Sequence, residues 1–187
     1  MYTKHHLITD VLAYMPDDAQ EEAHKVALLA LLNGTDYCFE RHHFPGHVTG
    51  SALLLSPDNQ QTLMTHHKAL NKWLQFGGHA DGDIHIRNVA LREAQEESGI
   101  LAIEYLKPEI FDIDVHPIPA SEKRNEPAHY HYDIRYLLRA TTLTYAISDE
   151  SNTLQWFTPE QVDALQPQES ILRMVRKWRQ YLSDLAA

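Results

Sequence analysis

Glu93, Glu96 and Glu97 stand within five residues of one another, immediately after Arg92. On a helix, residues three or four apart share a face, so Glu93 and Glu97 form a pair with Glu96 beside it. Three carboxylates this close repel one another. A hard divalent cation removes that cost. Mg²⁺ takes oxygen ligands, keeps several waters, and typically links a few carboxylates to substrate phosphates. Arg92 precedes Glu96 by four residues, the spacing at which it would pair with and orient that carboxylate.

These side chains need a helix with a second, packing face. Ala90, Leu91, Ala94 and Ser98 supply a small, apolar stripe, and Gly99 suits the left-handed position that ends a helix. Upstream lie Gly77 and Gly78 and then a loop with Asp81 and Asp83. Before the glycines the pattern is that of strands. His47 to Leu55 reads as one, Ser56 to Asn59 as a turn, Gln61 to His67 as the return strand, and Lys72 to Gln75 as a short extended segment. A Glu-rich helix is ordinarily a solvated face. The glycine pair at a fixed distance and the Arg-Glu step inside the helix argue for more.

The stretch Gly77 to Ile100, GGHADGDIHIRNVALREAQEESGI, resembles the Nudix box, G-x5-E-x7-R-E-U-x-E-E-x-G-U with U aliphatic. Gly78, Arg92, Glu93, Glu96, Glu97, Gly99 and Ile100 match in type and spacing, and Ala94 fills the first U. The first Glu of the pattern falls on Ile84, with Asp83 as its neighbour. The resemblance implies an α/β fold: an α/β/α sandwich with a mixed β-sheet over about residues 49–163. It implies hydrolysis of a nucleoside diphosphate linked to another moiety, with Mg²⁺ or Mn²⁺ as cofactor. Glu93, Glu97 and the Gly77 carbonyl would hold the ion, and Glu96 would complete the shell or help deprotonate water. Arg92 would orient the carboxylates. The general base varies within the family; Glu126, His129 and Asp133 are the candidates here.

Bulk properties agree with a small-molecule enzyme. The 187 residues suffice for a core, and 43% hydrophobic with 22% charged residues is ordinary for a globular chain. The net charge of −10 argues against general nucleic-acid binding. Cys38 is the sole cysteine, which excludes an internal disulfide and a cysteine zinc site. With no long apolar run and no signal-like start, a reducing cytoplasm and no membrane partner are expected. A homodimer is the default oligomer.

Residues 1 to 45 are expected to form a helical extension packed on a domain spanning 46–187. Leu7, Ile8, Val11, Leu12 and Met15 recur at helical spacing. Asp18 reads as the N-cap of a second helix, with Glu21 at the capping-box position. That helix would bury Ala23, Val26, Ala27, Ala30 and Leu31 and end at Asn33-Gly34. The adjacent pairs His5-His6, His42-His43 and His66-His67 are poor chelates, because neighbouring side chains usually diverge.

Beyond the box, Glu109 to Val115 alternates as a strand, and Ala120 to Pro127 is a polar loop in which Lys123 and Arg124 could meet phosphates. Ala128 to Arg139 is a strand whose one face carries His129, His131 and Asp133. Titratable groups alternating in this way suit a pocket lining. Thr158 and Pro159 open a helix, and Ile171, Val175, Trp178 and Leu182 line a final one. Two other readings compete with the metal-dependent hydrolase. One is a nucleotide-binding or regulatory module of the same fold without activity, which Ile84 favours. The other is a hydrolase with a polynuclear metal site fed by histidines.

Overall fold

The computed structural model describes residues 2–122, 125–149 and 151–186. Lys123 and Arg124 lie outside the described residues. The elements, in order, are α1 (Lys4–Ala13), α2 (Ala19–Gly34), a 3₁₀ turn (Tyr37–Phe39), β1 (Gly46–Leu55), β2 (Thr62–His67), β3 (Lys72–Leu74) and β4 (Phe76–His79). They continue with α3 (Ile86–Ser98), β5 (Ile103–Tyr105), β6 (Asp112–Ile118), β7 (His129–Ala140), β8 (Ser151–Phe157), α4 (Pro159–Ala164) and α5 (Glu169–Ala186). Among the described residues, eight strands in a mixed sheet with flanking helices are the α/β class expected.

The chain divides into two compact units. The first comprises Met1–Ser51, Gly77–Ala90 and Pro108–Tyr136. In it β4 pairs with β1, β1 neighbours β7, and β6 runs antiparallel to β7 from Asp112 opposite Arg135 to Ile118 opposite His129. Leu7 and Val11 of α1 and Leu28 and Leu32 of α2 are fully buried. The face of α2 differs from expectation: Val26 is 58% exposed and Ala30 is also exposed. Apolar residues run almost all the way round this helix, so their spacing alone could not choose a side.

Asp18 caps α2 by accepting a hydrogen bond from the Glu21 N–H at 2.8 Å. The Glu21 carboxylate does not complete the reciprocal box. It is fully buried, and accepts from the Asp17 N–H at 2.8 Å, the Ile113 N–H at 3.1 Å and the Tyr14 hydroxyl. A buried carboxylate needs several donors, and these outnumber the one its own helix start would offer. The result anchors α2 to β6.

Two further boundaries move. β6 begins at Asp112 rather than Glu109 and runs on through Pro117, which is exposed. Gly77 and Gly78 lie within strand β4, which the sequence pattern ended at Gln75. The tight segment follows them, with Asp81 at φ 49° and Gly82 at φ 86°.

The second unit comprises Ala52–Phe76, Leu91–Lys107 and Leu137–Ala187. There β2 pairs antiparallel with the end of β1, with β3 and with β8, while the short strand β5 pairs with the end of β7. Thr158 and Gln161 form the capping box of α4, with Pro159 at its first position. α5 buries Ile171, Met174, Val175 and Trp178, and the Trp178 indole donates to the Asn59 carbonyl at 3.0 Å. Trp178 is therefore a core residue with its polar atom satisfied.

Candidate functional site

In the second unit the carboxylates sit where the helical spacing puts them. Ala94 and Ser98 are fully buried and anchor that part of α3. Gly99 ends the helix at φ 68°; a Cβ there would lie 2.7 Å from the Ala146 Cβ. The Ala146 N–H donates to the Ser98 carbonyl at 2.8 Å. Glu97 is buried at 8% exposure, Glu93 is half-buried and Glu96 is exposed. Arg92 does not use the four-residue spacing to Glu96; its Nη2 donates to Glu93 Oε1 at 2.9 Å. Glu93 is the less hydrated of the two carboxylates, so a charge-assisted bond gains more there. All three side chains offer hard oxygen donors, and one is largely withdrawn from water. That donor set fits Mg²⁺ or Mn²⁺ and does not select a softer ion.

In the first unit the segment leading into the helix is tightly fixed. A Cβ on Gly77 would lie 2.1 Å from the Ser51 Oγ and 2.7 Å from the Ser51 Cβ, so β4 can lie on β1 only with glycine there. Gly50 plays the corresponding part for the start of α3, where a Cβ would meet the Ile86 carbonyl at 2.9 Å. After β4, Arg41 grips Asp81 with two bonds of 2.7 and 2.8 Å, and the Gly82 N–H donates to the Phe39 carbonyl. Asp83 accepts from the His85 N–H at 2.8 Å, an Asx turn that opens α3. Its carboxylate is thereby engaged locally, beside an Ile84 that has none.

The three candidates for general base, Glu126 before β7 and His129 and Asp133 on it, also lie in this unit. Asp133 is 2% exposed. Its Oδ1 accepts from the Thr49 hydroxyl at 2.9 Å and the Ser51 hydroxyl at 2.7 Å, while Oδ2 accepts from Arg135 Nε at 2.7 Å. Arg135 also reaches Asp112 at 3.1 Å and Asp114 at 3.2 Å. Burial alone would lower the Arg135 pKa; Asp133, Asp112 and Asp114 reverse that and hold it above its ordinary value. His129 is buried, with Nδ1 2.8 Å from the Pro127 carbonyl. Glu126 is partly exposed and forms an isolated bridge with Ser121.

A histidine cluster occupies the same unit. His47 on β1, His79 at the end of β4 and His131 on β7 bring one ring nitrogen each within 4.8 Å of one another. Burial and the nearby His79 drive the His47 pKa down to about 4. Burial, then the positive field of Arg41, lowers that of His79, and burial with its histidine neighbours lowers that of His131. None of the adjacent histidine pairs belongs to this group. The alternation of His129 and His131 was visible in the sequence; the approach of His47 and His79 was not, since it depends on which strands are neighbours. A cavity of about 420 Å³ in this unit is lined by Tyr2, Tyr14, His85, Arg87, Glu109 and Tyr136 among others. Its size is within the range of small-molecule pockets. Among the described residues no helix is long and apolar enough to cross a membrane.

The family model for the NUDIX domain matches residues 46–178. A Lactococcus lactis protein named probable DHNTP pyrophosphohydrolase is 29% identical over 133 residues, covering 71% of this chain and 76% of the relative. The solved structure of a C. elegans Ap4A hydrolase in a binary complex aligns with a TM-score of 0.59 at 15% identity, over 73% of this chain and 98% of that one. That of the E. coli dihydroneopterin triphosphate pyrophosphohydrolase aligns with a TM-score of 0.52 at 13% identity, over 70% and 92%. At such identities the two structures speak for the fold alone. With the family model matched over most of its length and the Arg-Glu-Glu-Glu helix intact, the chain belongs to the Nudix family.

Proposed function

We propose that this protein is a Mg²⁺- or Mn²⁺-dependent hydrolase that cuts within the polyphosphate of a nucleoside or pterin phosphate ester. It is a Nudix-type pyrophosphohydrolase, the activity named for relatives of the same family. The observation carrying the metal-dependent reading is the buried Glu97 beside half-buried Glu93 and exposed Glu96 on one helix. Glu93 and Glu97 would hold the ion, with Glu96 beside them, and the family pattern adds the Gly77 carbonyl. When bound, such an ion polarises phosphoryl oxygens and lowers the pKa of a bound water. Arg92 holds the Glu93 carboxylate in place. Glu96, exposed on the same helix, is the group we assign to accept the proton of the attacking water. Glu126 is the alternative. Asp133 and His129 act as positioning groups in this reading, since Asp133 already accepts three hydrogen bonds and the His129 ring is buried. We also propose that residues 1–45 are a helical extension of a catalytic domain spanning 46–187.

The DHNTP and Ap4A substrates in the names of its relatives set the first panel, widened by a nucleotide sugar and ADP-ribose. Each would be offered with Mg²⁺, with Mn²⁺ and with chelator, and the products identified. Metal-dependent release of pyrophosphate or a nucleotide from one class supports the reading. A second reading, a nucleotide-binding module without turnover, is favoured by Ile84, where the family pattern has Glu. Tight binding without cleavage across the panel would select it.

A further inference from the structure

We propose that His47, His79 and His131 form a second metal site, distinct in chemistry from the carboxylate helix, that takes one Zn²⁺-class transition-metal ion. Each residue offers one ring nitrogen, and the three nitrogens lie within 4.8 Å of one another. The rings are mutually close, with centroids 4.9 to 5.1 Å apart. A tetrahedral zinc site with bonds of about 2.0–2.1 Å places its nitrogens about 3.4 Å apart. Ring rotations and a closing of at most about 1.4 Å would reach that geometry.

The second observation is an unmet hydrogen-bonding capacity. Nε2 of His47 and Nε2 of His131 are both buried and have no hydrogen-bond partner. His47 as a whole is 1% exposed. An unpaired nitrogen in that position is costly, and a single such atom would be an oddity of packing. Two, on two rings of one cluster, are a hydrogen-bonding capacity that one metal ion would meet. The His47 Nδ1 lies 3.3 Å from the His43 carbonyl. A proton on Nδ1 is donated there, which leaves a lone pair on the unpartnered Nε2. Metal-binding histidines are commonly fixed in this way, one nitrogen on a carbonyl and the other on the ion.

Donor type decides the ion. Imidazole nitrogens suit zinc, copper, nickel and iron, whereas Mg²⁺ and Mn²⁺ prefer carboxylates and water. Three protein ligands leave a fourth position for water or for an oxygen of a bound anion. The ion would also tie the end of β4 to β1 and β7 and so hold the segment that opens the box loop. This site does not depend on the carboxylate helix.

The test uses the full chain stripped with chelator and then titrated with Zn²⁺ alone in the presence of excess Mg²⁺. We expect one equivalent to bind per chain. His47→Gln and His131→Gln should each weaken binding at least about 100-fold, since even a lost outer-shell partner costs 10–100-fold. Glu97→Gln should leave Zn²⁺ binding unchanged. Zinc-edge X-ray absorption on the wild-type protein should count three imidazoles, which covers the case in which a histidine variant does not fold. Failure to bind Zn²⁺, a shell made of carboxylates, folded histidine variants that bind like wild type, or loss of binding in Glu97→Gln would each overturn the site. Loss of phosphohydrolase activity on the substrate panel would leave this result untouched, so the two readings fail separately.

Discussion

Gly77 lies so close to Ser51 that a Cβ on the glycine would come within 2.1 Å of the serine hydroxyl and 2.9 Å of the serine Cα. The need for glycine is therefore steric, because β4 lies against β1 at this point. Gly77→Ala should destabilise the protein by about 1–3 kcal/mol, the usual range for forced overpacking. Truncating Ser51 to glycine should recover only part of the loss, since the Cα remains in the way. Thermal unfolding of the single and double variants checks this; a neutral Gly77→Ala would mean that β4 does not lie on β1 as described.

Glu97→Gln removes one charged donor from the carboxylate helix and keeps its size. Because Glu97 is 8% exposed on a helix anchored by fully buried Ala94 and Ser98, the fold should persist. Turnover supported by Mg²⁺ should fall by at least about 100-fold, by comparison with the cost of disturbing even an outer ligand. Circular dichroism and a metal titration of activity measure the two effects separately. Unchanged turnover would sink the assigned site.

The carboxylate helix was legible because its signal is local. Helical spacing fixes which side chains share a face, and Gly99 at φ 68° ends the helix as its residue type suggests. What the spacing could not choose was the partner of Arg92, where burial favoured Glu93 over Glu96. The capping role of Glu21 looked local too, yet its carboxylate went to Ile113, ninety-two residues away. The histidine cluster was the least visible part. His47, His79 and His131 sit on three strands, and no one-dimensional pattern states that those strands are neighbours. Pro117 likewise hid the true extent of β6, since a proline within a strand reads as an interruption unless the strand edge is known.

Arg135 is surrounded by three buried carboxylates, Asp112, Asp114 and Asp133, at 3.1, 3.2 and 2.7 Å. Asp114 is also 2.9 Å from His116 and 3.4 Å from His24. Removing the guanidinium strands charges that cannot reach water. Arg135→Met should cost about 3–5 kcal/mol, the range for breaking a buried ion pair from one side. Urea unfolding gives the number. A loss under about 1 kcal/mol would mean that the histidines or added protons neutralise the cluster without the arginine.

The histidine cluster gives stability a definite pH dependence. His47 ordinarily titrates at 6.5 and is held down to about 4 in the fold. Above pH 6.5 neither the folded nor the unfolded chain carries the proton, and the full stability is present. As the pH falls from 6.5 towards 4, the unfolded chain binds the proton and the folded one does not, so stability declines with falling pH. Below about 4 both states bind it and the decline from this residue stops. His79 and His131 are shifted in the same direction and add to the effect. In chelator-treated protein, the unfolding temperature should therefore drop between pH 7 and pH 5, and drop less in His47→Gln. The comparison is internal, so carboxylates elsewhere cancel to first order. Parallel curves for wild type and variant would mean that His47 takes up its proton in the folded state, and that the cluster is open to water.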